Sequence, residues 1–198
     1  MRAVTRPLSE DVDLNAVAGN DGYLFVRDGV GLAARGVAAR IGSGDIAHFL
    51  ATMERDDTVG VPGCGPVALG AKPFLPGEPW SLVVPRLVIG KGSDGQRWIT
   101  RIGEVDEPLD ATPPPAPHVA SFSVEPGVDE VTYLAAVGAA REAVRSGRIT
   151  KAVIARDARV RSNRPLDVHA TLLRLRASFG SSYRFSIDGL IGASPELL

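Results

Sequence analysis

Short apolar runs broken by glycine and proline fill the first half of the chain. Tyr23-Leu24-Phe25-Val26 and Gly31-Leu32-Ala33-Ala34 flank Arg27-Asp28-Gly29, and an Asp-Gly pair between two apolar runs predicts an antiparallel hairpin. From Asp45 to Arg55 the residues Ile46, Phe49, Leu50 and Met53 recur at helical spacing behind the candidate N-caps Ser43 and Asp45, which predicts one short amphipathic helix. Runs at 66–70, 80–85, 86–89 and 97–100, with Ser93-Asp94-Gly95 as the turn before the last, read as a β-meander.

Beyond residue 117 the pattern changes. Val131, Leu134, Ala135, Val137, Ala140 and Val144 mark a helical face between Asp129 and Ser146, with Gly147 placed to stop it. Ala152-Val153-Ile154-Ala155 with Ala158 and Val160 predicts a long buried strand opened by Thr150-Lys151. A helix follows around Val168 to Phe179, and Tyr183–Ile187 and Leu190–Gly192 flank a second hairpin signal, Asp188-Gly189. The run Pro113-Pro114-Pro115-Ala116-Pro117 cannot continue a ladder, because proline lacks a donor. It predicts a boundary between a β-rich part, 1–117, and a second part, 118–198.

Composition narrows the partners. At 198 residues and 44% hydrophobic, the chain has the material for a sizeable core. Lys and Arg (22) balance Asp and Glu (23), so no overall field draws nucleic acid or an anionic membrane surface. A single cysteine, Cys64, excludes an internal disulfide, and three scattered histidines give no zinc-like spacing. With no apolar h-region near Met1 and no stretch of about 18 apolar residues, the expectation is a cytoplasmic protein that is neither secreted nor membrane-spanning. Gly60, Gly63 and Gly65 do not sit between a strand and a helix, so no phosphate-cradling loop is predicted.

Two side chains carry candidate chemistry. Lys151 precedes the predicted buried strand, and a lysine desolvated or crowded by another cation can lose its proton near neutral pH and act as a general base. Strand position alone favours the alternative, a solvated lysine with its stem on the surface. Glu196 follows Gly192-Ala193-Ser194-Pro195, where proline fixes its own φ, serine can bond locally and the small residues leave room for a ligand. A carboxylic acid there could be a proton donor. Ser-Pro-Glu is also a common helix opening, and both readings stand at this point.

Together these segments resemble the chorismate-utilising enzyme family, most closely isochorismate synthases of the actinobacterial type. The block Tyr133-x3-Val137-x2-Ala140-x3-Val144-x2-Gly147-x3-Lys151-Ala152-Val153-Ile154-Ala155-Arg156 is similar to the family's helix-then-strand signature. A second block, Tyr183-x-Phe185 and then Ile191-Gly192-Ala193-Ser194-Pro195-Glu196-Leu197-Leu198, resembles its Pro-Glu-Leu-Leu signature. The first half agrees more loosely, and Lys72 stands where an apolar residue is usual before Pro73-Phe74.

The resemblance implies an α+β, anthranilate synthase component I-like fold, with mostly antiparallel sheets and outer helices, present here incompletely. It implies chorismate as substrate, Lys151 as the base that activates water for attack at C2, and Glu196 as the acid that protonates the departing C4 hydroxyl. Ala193 and Ser194 are expected to border the substrate. It also implies Mg²⁺, with ligands expected after the Pro-Glu-Leu-Leu turn and none in this chain. The family comparison therefore predicts a truncated isochorismate synthase, inactive unless a complementary C-terminal segment completes it. A salicylate synthase of the same family, or a non-catalytic interaction module derived from one, are the alternatives. Isochorismate feeds both menaquinone and siderophore pathways, and the sequence does not choose between them.

Overall fold

The computed structural model describes residues 1–42, 44–104, 109, 112, 113, 115 and 120–196. The candidate cap Ser43, part of the 113–117 proline run and the closing Leu197-Leu198 lie outside these residues. In chain order the elements are β1 (Arg2–Pro7), α1 (Leu14–Ala18), β2 (Tyr23–Arg27), β3 (Val30–Arg35), β4 (Ala39–Ile41), α2 (Ile46–Ala51), β5 (Glu54–Asp57) and β6 (Leu82–Val84). They continue with β7 (Leu87–Lys91), β8 (Arg97–Ile102), β9 (Phe122–Pro126), α3 (Glu130–Arg145), β10 (Ala158–Ser162), α4 (Val168–Ser178), β11 (Tyr183–Ile187) and β12 (Leu190–Ser194). The fold is α+β with mostly antiparallel sheet.

Two compact units result, one from residues 1–116 and 167–198, the other from 117–166. The first break lies between 116 and 117. The last thirty-odd residues, which the sequence grouped with the second part, instead return to the first unit.

The larger unit is built on an eight-stranded sheet of order β12-β11-β2-β3-β7-β8-β1-β5. Both predicted hairpins form, and in each the Asp-Gly pair has positive φ at both positions: Asp28 51° and Gly29 78°, Asp188 46° and Gly189 86°. That is the backbone a two-residue turn needs to match the twist of its strands. Leu24, Val26, Ala33, Leu87 and Ile89 on one face pack with Leu14, Val17 and Ala18 of α1 and Leu172 of α4. On the other face Tyr23, Ala34, Val88, Phe185 and Ile187 form a second cluster with Val83 of β6. Burying each large aliphatic side chain contributes about 1.5–3 kcal/mol, so these two layers fix the strand register.

Helix ends follow the sequence. Asp45, Asp129 and Asp167 are the N-caps of α2, α3 and α4, each accepting from the backbone N–H three residues on at 2.8–2.9 Å. The predicted run at 66–70 is reduced to a single bridge between Leu69 and Val83. Lys72 sets its ammonium over the Trp80 ring, 5.6 Å from the centroid, which gives the charged residue a local partner.

In the smaller unit β9 pairs antiparallel with β10, and α3 carries no buried residue. The predicted long strand from Thr150 is corrected here: only Ala158–Ser162 is strand, and 151–157 makes no ladder with any described residue. Val153 is 81% exposed. An apolar run gains strand structure only where a neighbouring strand takes its hydrogen bonds, and the described residues supply none beside Ala152-Val153-Ile154-Ala155. No helix among the described residues is long and apolar enough to cross a membrane.

The parallel pair β1–β5 closes one edge of the large sheet and is tied by charge. Arg6 forks onto the Asp56 carboxylate at 2.9 and 2.8 Å, and Arg2 reaches the same group at 2.8 Å. The hydrogen bond from Arg6 holds the Asp56 carboxyl below its ordinary value, and the charges of Arg6 and Arg2 add to it. A group depressed on folding stabilises above its unfolded pKa, about 3.9, and loses that contribution as pH falls through the folded value. Asp56→Asn is therefore expected to lower the urea midpoint at pH 7, with the gap to wild type narrowing below about pH 4. An equal gap at both pH values would show that the fork contributes nothing through charge.

Candidate active site

The structure places the two candidate residues in different units, Lys151 in the smaller and Glu196 in the larger. Each is described in its own surroundings.

Around Lys151 the motif is held by its flanks. α3 ends at Arg145 because Gly147, at φ 71°, turns the chain back, with the N–H groups of Gly147 and Arg148 donating to the carbonyls of Val144 and Ala143 at 3.0 Å. Thr150 and Lys151 follow directly and are exposed. At the far end of the motif the Arg156 guanidinium lies over the Tyr133 ring, 5.2 Å from its centroid. The Asp157 carbonyl accepts from Gly127 N–H at 3.0 Å. Between these anchors Ala152 and Ile154 line a groove of about 320 Å³ with Tyr133, Val137, Ala140 and Val144 of α3. The spaced apolar residues of the first sequence block thus face one another across that groove. Lys151 is solvated, the reading that strand position alone favours.

Glu196 sits just past β12. Ser194 Oγ accepts from Glu196 N–H at 3.2 Å and donates to the Glu196 carbonyl at 2.9 Å. One hydroxyl thereby closes the turn in both directions, as serine placed before proline allows. The Glu196 side chain is exposed. Gly192 and Ser194 lie opposite Phe185 and Tyr183, and Ala193 lies opposite Arg184. Successive strand residues point to opposite faces, so Ala193 and Ser194 present to different sides of the sheet, both half-buried.

The hairpin that carries Glu196 is clamped at its other end by residues the sequence did not single out. Arg40 reaches both Asp188 carboxylate oxygens, at 3.2 and 3.3 Å, and Tyr23 donates its hydroxyl to Asp188 at 3.3 Å. Burial and then the neighbouring Asp188 charge push the Tyr23 phenol up, so it remains a donor through neutral pH. Phe25 stacks on Tyr183 at 5.8 Å, and Arg27 covers the same ring at 4.8 Å. Tyr23 and Arg40 lie about 150 residues from Asp188 in sequence, and no local spacing signals such a clamp.

Among the described residues no group of three or more His, Cys, Asp or Glu could hold a metal ion, and no step is routed through the Mg²⁺ that the resemblance implies.

One sheet thus joins the early strands to the late hairpin that leads into Pro195-Glu196. The family model described as "Chorismate binding enzyme" matches residues 80–198, more than half of the sequence, and the chain belongs to that family. It is 31% identical over 149 residues to the "Putative isochorismate synthase MenF" of Mycobacterium tuberculosis, in strains CDC 1551 and H37Rv alike. That similarity covers 69% of this chain and 36% of the relative. Its fold is similar to a crystal structure described as "putative 2,3-dihydroxybenzoate-specific isochorismate synthase, DhbC from Bacillus anthracis", with a TM-score of 0.57 and 19% identity over 91% of this chain and 45% of that one. The chain therefore spans between a third and a half of the length of the proteins it matches.

The hairpin also depends on a missing side chain. A Cβ on Gly192 would lie 2.6 Å from Cζ and 3.0 Å from Cε2 of the Phe185 ring opposite. Gly192→Ala is expected to destabilise the larger unit by about 1–3 kcal/mol through overpacking, read as a lower midpoint in chemical denaturation. A wild-type midpoint would mean that Phe185 does not need this space.

Proposed function

We propose that this chain is the amino-terminal portion of an isochorismate synthase, contributing the acid and the base for conversion of chorismate to isochorismate. The observation that carries the reading is that Lys151 and Glu196 both lie within the stretch matched by the chorismate-binding family model. Similarity to isochorismate synthase relatives supports the choice of reaction.

The chemistry needs both groups. Lys151, neutral, takes a proton from water as its oxygen bonds to C2, the ring double bonds shift, and the C4–oxygen bond breaks. Glu196, protonated, delivers its proton to that departing oxygen, which leaves as water. One water enters and one leaves, so the reaction is an isomerisation with no covalent intermediate. Water is a poor nucleophile and hydroxide a poor leaving group, and one base and one acid address both.

Lys151 is solvent-exposed in this chain, and a lysine becomes a neutral base at physiological pH only when desolvated or crowded by positive charge. We assign that desolvation, the Mg²⁺ ligands and the anchoring of the chorismate carboxylates to parts of the fold that the longer relatives carry in addition. Catalysis by this chain alone is expected to be absent or very weak.

The test supplies a segment equivalent to the remaining part of the Mycobacterium relative, fused or co-expressed, and follows chorismate consumption with Mg²⁺ present. Isochorismate is the expected product, and release of pyruvate with salicylate would indicate the salicylate synthase activity instead. Lys151→Ala and Glu196→Gln are each expected to lower the rate by about 10²–10⁴-fold, the usual contribution of a positioned acid or base. Unchanged rates in both variants would overturn the assignment.

A further inference from the structure

The larger unit contains a cavity of about 390 Å³ between α1, α4 and the sheet. On its floor runs one cross-strand row, Arg184 on β11, Val26 on β2, Gly31 on β3 and Lys91 on β7, each directly opposite the next. Arg184 thus lies on the face covered by the helices. It is 3% exposed, and among the described residues its Nε–H has no hydrogen-bond partner, while Nη1 makes a 3.4 Å contact to Asn15 Oδ1. Asn15, on α1, is 2% exposed and its amide nitrogen also has no partner. A buried donor left unpaired is costly, more so when charged, so two of them beside a cavity call for an acceptor.

The other charges around the cavity are already matched. Lys91 pairs with Asp11 at 2.6 Å and Arg176 with Asp13 at 2.8 Å, while Asp28 lies 3.7 Å from Arg27. Among the described residues Arg184 is the lining cation without a carboxylate. Burial, and next the charge of Arg176, draw its pKa down from the ordinary value, and the carboxylates of Asp13 and Asp28 only partly oppose this.

We propose that this cavity is a binding site for a small monocarboxylate, whose planar carboxylate accepts from the free Nε–H edge of Arg184 and from the Asn15 amide while its apolar body lies against Leu14 and Val26. A guanidinium edge matches a carboxylate in plane. Asp11, Asp13 and Asp28 also line the cavity and engage the neighbouring cations, so Arg184 is left to balance one negative charge, which selects a monoanion over a dianion such as sulfate. The site lies within one unit and is independent of the roles given to Lys151 and Glu196.

Titrating the purified chain with benzoate, acetate and sulfate at matched ionic strength tests this. Benzoate is expected to raise the melting temperature in a saturable way, acetate to do so more weakly, and sulfate not to compete. Arg184→Lys, which keeps the charge and loses the fork, is expected to weaken benzoate roughly tenfold or more, and Arg184→Met to abolish the shift. Because either variant could fail to fold, the Arg184 Nε–H resonance of the wild-type protein is followed as well. It is expected to move downfield and to exchange more slowly with solvent at saturating benzoate. A stationary resonance, or sulfate binding as tightly as benzoate, would overturn the proposal.

Discussion

The pairing of β11 with β2 is the constraint from which the rest of the larger unit follows. Arg184, Phe185 and Ser186 lie opposite Val26, Phe25 and Leu24, so the late hairpin of β11 and β12 is added to a sheet otherwise built from about the first hundred residues. This register decides three things at once. It sends Phe185 and Ile187 into the cluster with Tyr23 and Val88, sets Asp188 within reach of Arg40 and Tyr23, and turns Arg184 toward α1 and α4. A slip of one residue would exchange these faces, moving an arginine into the aromatic layer and two apolar side chains beneath the helices. The cost on both faces makes the register specific.

Much of the architecture could be read from local chemistry. The two Asp-Gly turns, the helix between Asp129 and Gly147, and the helix following Asp167 are each set by a cap or a positive-φ turn within a few residues. What could not be read depends on distant partners. β1 reads Arg-Ala-Val-Thr-Arg-Pro and β5 Glu-Arg-Asp-Asp, with little apolar signal. β1 is a strand because β8 takes its ladder on one side, and β5 joins on the other, where Arg2 and Arg6 meet Asp56. The run 152–155 has the opposite character, apolar and β-branched, yet it lacks a ladder partner among the described residues and stays irregular. Strand propensity expresses a neighbour's presence more than an intrinsic preference.

The candidate catalytic residues divide in the same way. Ser194 before Pro195 leaves Glu196 open between a rigid turn and a helix opening, and the Ser194 hydroxyl bonds the Glu196 backbone on both sides. The motif leading to Lys151 was legible as a helix and a stop, with Tyr133 and Arg156 engaged at either end. Neither side chain gains a buried environment from its own segment. Acid–base power requires desolvation or a close charge, and short motifs position a group without supplying those surroundings. For these two residues the sequence names candidates only, and under the proposed function the tuning comes from chain packed against them.

Arg184 makes the complementary point. Between Tyr183 and Phe185 it reads as the polar half of an alternating strand, a residue bound for solvent. It is buried because α1, spaced from β2 by a short turn, and α4, held to α1 through Arg176 and Asp13, both cover that face. A guanidinium is so costly to bury without an acceptor that a fold tolerating it beside an open volume has given up stability at that point. A methionine or leucine would fill the row from Val26 to Lys91 more cheaply. The retained charge therefore needs a counterpart that the described residues do not provide, and under the proposal above an anion entering the cavity is the one that matches its geometry.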